Sequence, residues 1–379
     1  MKRAAQLKKL WSTDQLITGI ETPEWLRLLG KNGWNVSPQY AHRAAWITAF
    51  SLPSTVFGRI EDATWGRQLA GKDIDPVPLF VLGHWRSGTT HMHNLLGRDP
   101  QHTYSTVYQC VFPTSFLTTS SFVPALTARF LDETRSYDNV KQGWNEAAED
   151  EIAMAKLTGM SPYLSFMFPD QSAKYEKYID FVSATEDERE AWQDAFRWFL
   201  KKIMAQTGDR RVVVKSCTHT ARIRMLLDMF PTAPFVFIHR HPYEVFSSTL
   251  HMRSHTDWEN FFQVPFENWD EERERQTLQL GQRIFERYLE DRHLIPQENL
   301  VELRYEDVCG NELEVMRDVY ARLRLPDWPQ AERSLQGYVG GLKGYKRNQL
   351  KIDQRQKDLV YEMWRPVFDT FGYDREYKV

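Results

Sequence analysis

The stretch Pro78-Leu-Phe-Val-Leu-Gly83-His-Trp-Arg86-Ser-Gly88-Thr-Thr90 constrains the fold of this chain more than any other. An apolar run suited to a buried strand ends at Gly83. A short Gly/Ser/Thr loop follows, and His91-Met-His-Asn-Leu-Leu96 continues as the first turns of a helix. Strand, glycine-bounded loop and helix N-terminus together make an anion site, because backbone N–H groups converge on the anion and the helix dipole favours negative charge. The spacing from Gly83 to Gly88 matches the phosphate-binding loop G-x-x-x-x-G-K-[ST], with Thr89 where the lysine belongs. The loop suits a phosphate-like group but lacks the lysine that kinases and NTPases aim at β- and γ-phosphates.

Downstream, apolar runs at 79–82, 211–214, 234–238 and 300–304 read as strands, and helices are expected at 89–96, 220–230, 243–252 and 311–323. This alternation predicts an α/β fold, a P-loop-like parallel sheet flanked by helices. Segments 186–206 and 269–293 are amphipathic and expected as surface or lid helices, while proline and threonine make 112–122 a loop that could line an acceptor site. Ahead of the first strand, helices are expected at 23–29, 40–50 and 54–70, so residues 1–76 form a helical N-terminal extension and 77–379 the main domain. The apolar patch at 45–57 suits either a buried helix or contact with a membrane surface or lipid substrate.

Composition narrows the partners. With 42% hydrophobic and 26% charged residues over 379 positions, the chain has the makeup of a globular enzyme. A net charge of −3 argues against a nucleic-acid backbone as the main partner, which would require a basic surface. Cys110, Cys217 and Cys309 are widely spaced and form no CxxC, which predicts a reducing compartment and no zinc site. The basic start at 1–11 is not followed by a signal-peptide core, and no run approaches a membrane span, so a cytoplasmic location is expected. The 51 aromatic side chains (13 Trp, 16 Tyr, 22 Phe) fill a core or line an acceptor pocket for a sugar, phenol or lipid.

A second signal lies in Pro234-Phe-Val-Phe-Ile-His-Arg240-His-Pro242-Tyr-Glu-Val-Phe-Ser247-Ser248. A buried strand delivers Arg240 at its C-terminal end, where ligands bind in open α/β sheets. Pro242 suits the first position of the next helix, and Ser248 follows two turns in. Arg240 can offer a fork of donors to a phosphate while the serine hydroxyl adds another. The competing reading is an arginine paired with a surface carboxylate.

Together the two motifs resemble those of sulfotransferases that use 3′-phosphoadenosine 5′-phosphosulfate (PAPS). That family's 5′-phosphosulfate loop resembles G-x-x-R-S-G-T-T, met by Gly83, Arg86, Ser87, Gly88, Thr89 and Thr90, with His84 and Trp85 between. Its 3′-phosphate motif resembles R-x-P with a serine eight residues after the arginine, met by Arg240, Pro242 and Ser248. The likeness is closest to the bacterial branch related to tyrosylprotein sulfotransferases, whose loop carries arginine. Val213-Val-Lys215-Ser216-Cys217-Thr-His219 resembles the family's K-S-P-x-H segment with Cys217 in place of proline. Leu303-Arg-Tyr305-Glu-Asp307 resembles its R-Y-E-D-L strand end, and Tyr345-Lys346-Arg347-Asn348 its late basic loop over the nucleotide.

The resemblance implies in-line transfer of a sulfuryl group from PAPS to a hydroxyl or amine, releasing adenosine 3′,5′-bisphosphate without a metal. Arg86 would serve the bridging and leaving-group oxygens and Lys215 the sulfuryl oxygens, while the strand ends carry Lys215 and His239-Arg240 instead of a magnesium-binding acid. Candidate bases are Glu149 and Glu151, on opposite sides of an expected helix, and His219; His91 and His93 are expected to pack as helix residues. The acceptor is a small molecule, glycan or lipid. The alternatives are a metal-dependent P-loop kinase and a nucleotide-binding protein without catalysis.

Overall fold

A computed structural model describes residues 16–127, 143–341 and 350–377. The chain forms two compact units interleaved along the sequence. One gathers the residues up to Ile74 with Ser105–Gly208 and Arg253–Trp269; the other gathers Asp75–Tyr104, Asp209–Met252 and the residues from Asp270 onward. The N-terminal helices thus group with two later segments.

The second unit holds the sheet. Its strands are β1 (Leu79–Leu82), β2 (His102–Tyr104), β3 (Arg211–Lys215), β4 (Phe235–His239) and β5 (Leu300–Arg304), all parallel in the order β2-β3-β1-β4-β5. β1 is central, pairing Phe80 with Val214 on one side and with Phe235 on the other. Its four residues are all buried, as the continuous apolar run predicts for a parallel strand covered on both faces. Leu79 and Val81 join Val213, Val236, Ile238 and Val301 beneath the helices Thr89–Leu96 and Glu312–Arg322. On the opposite face Phe80 stacks on Phe235 at 5.2 Å and Phe237 on Tyr288 at 3.6 Å. Each such buried aromatic contributes roughly 1.5–3 kcal/mol over an exposed one. The four expected strands form, and β2 is an addition: three residues, His-Thr-Tyr, are too short and too polar to show a strand pattern.

Three sequence expectations need correction. The helices expected at 40–50 and 54–70 are one helix, Ala41–Ala70, which runs through Pro53. Proline removes a single backbone donor, and the hydroxyls of Ser51, Ser54 and Thr55 bond to the carbonyls of Thr48, Phe50 and Ser51 around it. Within 112–122 a helical turn forms at Phe116–Thr119 in place of a plain loop. Glu149 and Glu151 do not face away from each other on one helix, because the helix is Glu151–Thr158 and Glu149 precedes it.

The helical unit contains Thr22–Lys31, Ala41–Ala70, Glu151–Thr158 and the long helix Glu186–Thr207. Thr185 and Glu188 start the last of these with a reciprocal capping box. Charged side chains are buried in its interior. Lys202 pairs with Glu61, both at or below 1% exposure, and Lys202 also donates to the Pro113 carbonyl at 2.5 Å. Arg43 donates to the carbonyls of Phe261 and Trp258 at 2.8 and 2.9 Å. No helix among the described residues is long and apolar enough to cross a membrane.

Candidate active site

The C-terminal ends of β1, β3, β4 and β5 carry Gly83, Lys215, Arg240 and Tyr305, all in the sheet unit. The loop after β1 takes backbone conformations that explain its glycines. Gly83 has φ +146°, and a Cβ there would lie 2.4 Å from the Ile238 carbonyl oxygen. Gly88 has φ +104°, and a Cβ there would strike the Tyr305 ring at 2.3 Å. The loop is pinned at both sides: the Gly83 N–H donates to Thr220 Oγ1 at 2.8 Å, and the Ser87 hydroxyl lies 2.8 and 2.9 Å from the carbonyls of His84 and Ile238. Gly88 then caps the helix Thr89–Leu96 without any side-chain cap. Its first-turn N–H groups are the donors that suit an anion.

Arg86 has φ +69°, a left-handed conformation that costs a side chain about 1–2 kcal/mol. Its Nε donates to Ser248 Oγ at 2.9 Å, so the arginine of the first motif and the serine of the second are in direct contact. His84 is fully buried, stacked on Phe285 with Trp85 and Trp364 around it. Its Nδ1–H donates to the Trp85 carbonyl at 2.8 Å, and burial pushes its pKa down to about 4, so it is a neutral brace for the loop.

Arg240 is held on two sides. Its guanidinium lies 4.8 Å over the Tyr305 ring, and Nη2 donates to Glu244 one turn on. Its Nε is buried and has no hydrogen-bond partner among the described residues. The expected surface pairing therefore exists, but it leaves that donor unmatched. Next to it His239 is no cation: burial and Arg304 push its pKa down to about 3, and its Nδ1 lies 2.6 Å from the Tyr373 hydroxyl. Arg240 supplies the charge of that strand end.

Lys215 ends β3 and is 2% exposed. The following segment Cys217–Ala221 forms a 3-10 turn despite lacking the proline, and His219 is fully buried with its ring edge-on to Phe80 at 5.9 Å. The Cys217 Sγ lies 3.8 Å from Thr89 Oγ1. His93 is taken up by the β3 backbone at Val213, and His91 lies 3.5 Å from Glu312, consistent with packing roles. Glu149 and Glu151 belong to the helical unit, where Tyr163 donates its hydroxyl to Glu149 and Glu151 is fully buried. Lys346 lies outside the described residues. Among the described residues no three His, Cys, Asp or Glu side chains cluster as metal ligands would.

The structure thus brings together the loop 83–90, Lys215, His219, Arg240, Ser248 and Tyr305 in one unit. Two contributors escaped the sequence reading. Glu244 was findable, since Arg240 and Glu244 have the i,i+4 spacing of a helical pair. Thr220, which holds Gly83, had no signal of its own, because its partner lies 137 residues away.

The parallel sheet carries a glycine-bounded loop and two cations, Lys215 and Arg240, at its strand ends, and the comparisons give its class as a transferase. The chain belongs to the sulfotransferase family, whose model matches residues 78–330. It is 32% identical over 361 residues to omega-hydroxy-beta-dihydromenaquinone-9 sulfotransferase Stf3 of Mycobacterium bovis and of Mycobacterium tuberculosis, covering 95% of this chain and 92% of each relative. Its fold is similar to that of sulfotransferase STF9 from Mycobacterium avium, with TM-score 0.70, 18% identity, and coverage of 99% of this chain and 97% of that one. STF1 from Mycobacterium tuberculosis H37Rv matches with TM-score 0.64 and 18% identity, covering 91% and 92%. The chain is therefore an enzyme of sulfuryl transfer, and the kinase and the non-catalytic alternatives fall away.

Proposed function

We propose that this sulfotransferase takes its sulfuryl group from PAPS and passes it to a hydroxyl on an apolar acceptor. The observation that carries the donor assignment is Arg240, whose guanidinium is oriented on two sides and whose buried Nε has no partner among the described residues. An acceptor of several hydrogen bonds, such as a 3′-phosphate, satisfies that donor. Its partner in this role is Ser248, and Tyr305 and Lys346 complete the set.

The N–H groups from Gly88 to Thr90 hold the 5′-phosphate at the uncapped helix start. Arg86 stabilises the bridging oxygen as negative charge grows there, and Lys215 faces the sulfuryl oxygens. PAPS itself supplies the sulfur centre that the acceptor oxygen attacks in line. Removal of the acceptor proton falls to His219, Glu149 or Glu151. Exchanging each for its neutral isostere (His219→Asn, Glu149→Gln, Glu151→Gln) identifies the base as the variant whose turnover collapses while nucleotide affinity holds.

The acceptor class follows from two observations. The relatives at 32% identity are named for a hydroxylated dihydromenaquinone. In the helical unit, Ala41–Ala70 exposes Trp46, Phe50, Leu52, Val56 and Ile60, with no ionisable side chain between Arg43 and Arg59. That face suits peripheral contact with a membrane holding such a substrate. Labelled PAPS offered with an isoprenoid alcohol in detergent, a free sugar and a simple phenol tests it. Label on the isoprenoid alcohol supports the assignment; label on the sugar or phenol alone overturns it. For the donor, Arg240→Ala is expected to weaken binding of adenosine 3′,5′-bisphosphate by roughly 2–5 kcal/mol.

A further inference from the structure

The segment after the last helix, Gln354–Phe371, is tied to the end of β4 by side chains the sulfuryl-transfer account does not use. His241 Nε2 donates to the Asp374 carbonyl at 2.9 Å, and the Tyr377 ring stacks on the His241 ring at 4.0 Å. Lys357 holds the Tyr377 carbonyl at 2.8 Å. The Tyr377 hydroxyl then donates to Glu244 Oε1 at 2.5 Å, while Glu244 Oε2 accepts from Arg240 Nη2. Both oxygens of one carboxylate are thus committed, one to the late segment and one to the arginine fork.

We infer that Tyr377 acts through Glu244 as a positioning residue for Arg240, setting the fork that recognises the 3′-phosphate. This rests on the assignment of Arg240 to that phosphate. A guanidinium on a flexible stem recognises a phosphate well only when its plane and edge are fixed beforehand. Here Tyr305 fixes the plane, Glu244 takes one terminal nitrogen, and Nε keeps its hydrogen for a ligand. A glutamate with a free oxygen could swing across the fork; the tyrosine hydroxyl occupies that oxygen and anchors it. The phenol stays protonated for this task, since its bond to Glu244, together with burial, raises its pKa to about 12.

The test titrates the full chain and Tyr377→Phe with adenosine 3′,5′-bisphosphate and with adenosine 5′-monophosphate, which lacks the recognised group. Phenylalanine keeps the stack on His241 and removes only the hydroxyl. Affinity for the bisphosphate is expected to fall about tenfold, as for a lost hydrogen bond to a charged group, with affinity for the monophosphate unchanged. Binding of the monophosphate doubles as the folding control. In an Arg240→Ala background the same substitution is expected to have no effect. Equal loss for both ligands, no loss for either, or a full tenfold loss persisting without Arg240 overturns the inference. Retention of the bisphosphate preference by Arg240→Ala alone instead overturns the assignment on which it rests.

Discussion

Lys202 in the helical unit and Arg240 in the sheet unit are cations held by a glutamate, and the two pairings differ. In the helical unit Lys202 and Glu61 neutralise each other, with the Thr118 N–H on Glu61 and the rings of Phe116 and Trp198 around the ammonium. In the sheet unit Arg240 is partnered on two sides, and its buried Nε has no hydrogen-bond partner among the described residues. A closed pair holds a structure together; an unmatched donor is useful only if a ligand completes it.

Substitution can break this contrast. The largest expected effect is in the helical unit: Lys202→Ala leaves Glu61 buried and alone, costing roughly 3–5 kcal/mol of stability. Chemical denaturation checks it, and the double variant Lys202→Met/Glu61→Leu is expected to recover only part of the loss, because the Pro113 carbonyl and the Thr118 N–H lose their side-chain partners. Failure of the double variant to recover would mean that the pair does more than neutralise itself. In the sheet unit Arg86→Ala is expected to lower kcat by about 10²–10³ with a smaller change in nucleotide affinity, as when one transition-state donor is removed. Equal losses in both would assign Arg86 to ground-state binding.

The two units also differ in their response to acid. His84 and His239 have pKa values pushed below the ordinary 6.5, to about 4 and about 3, chiefly by burial. Between pH 6.5 and those values the unfolded chain binds more protons than the folded one, so stability falls as pH falls through that range. In the helical unit, burial alone would raise Glu188, but bonds from Lys177, Tyr178 and the Thr185 N–H outweigh it and bring the carboxyl down to about 2. That stabilisation is fully present above the ordinary 4.5 and is lost as pH falls toward 2. Hydrogen exchange at pH 7.5, 5.5 and 4.5 is expected to show protection fading in the sheet unit first. Simultaneous fading would remove the assignment of neutral buried histidines.

Legibility in the sequence followed how local each signal is. The conformation of the loop 83–90 and the strand-end position of Arg240 were readable because glycines and a strand-to-helix change record backbone shape within a few residues. Four of five strands were readable for a similar reason, since a strand buried on both faces must be apolar throughout. The continuous helix through Pro53 was not, because a proline inside a helical pattern ordinarily marks a break. Nor was Tyr377, whose partner Glu244 lies 133 residues earlier. The roles of Glu149 and Glu151 also resisted reading: acidic residues at a helix start are common for dipole reasons alone.

The account stands most directly on what completes Arg240. Calorimetry in EDTA, comparing adenosine 3′,5′-bisphosphate with adenosine 5′-monophosphate and with ADP plus Mg²⁺ in the absence of EDTA, measures it. Tight, metal-independent binding of the bisphosphate, with its advantage over the monophosphate erased in Arg240→Ala, is the predicted result. Equal binding of bisphosphate and monophosphate, or binding of ADP with Mg²⁺ alone, would contradict it.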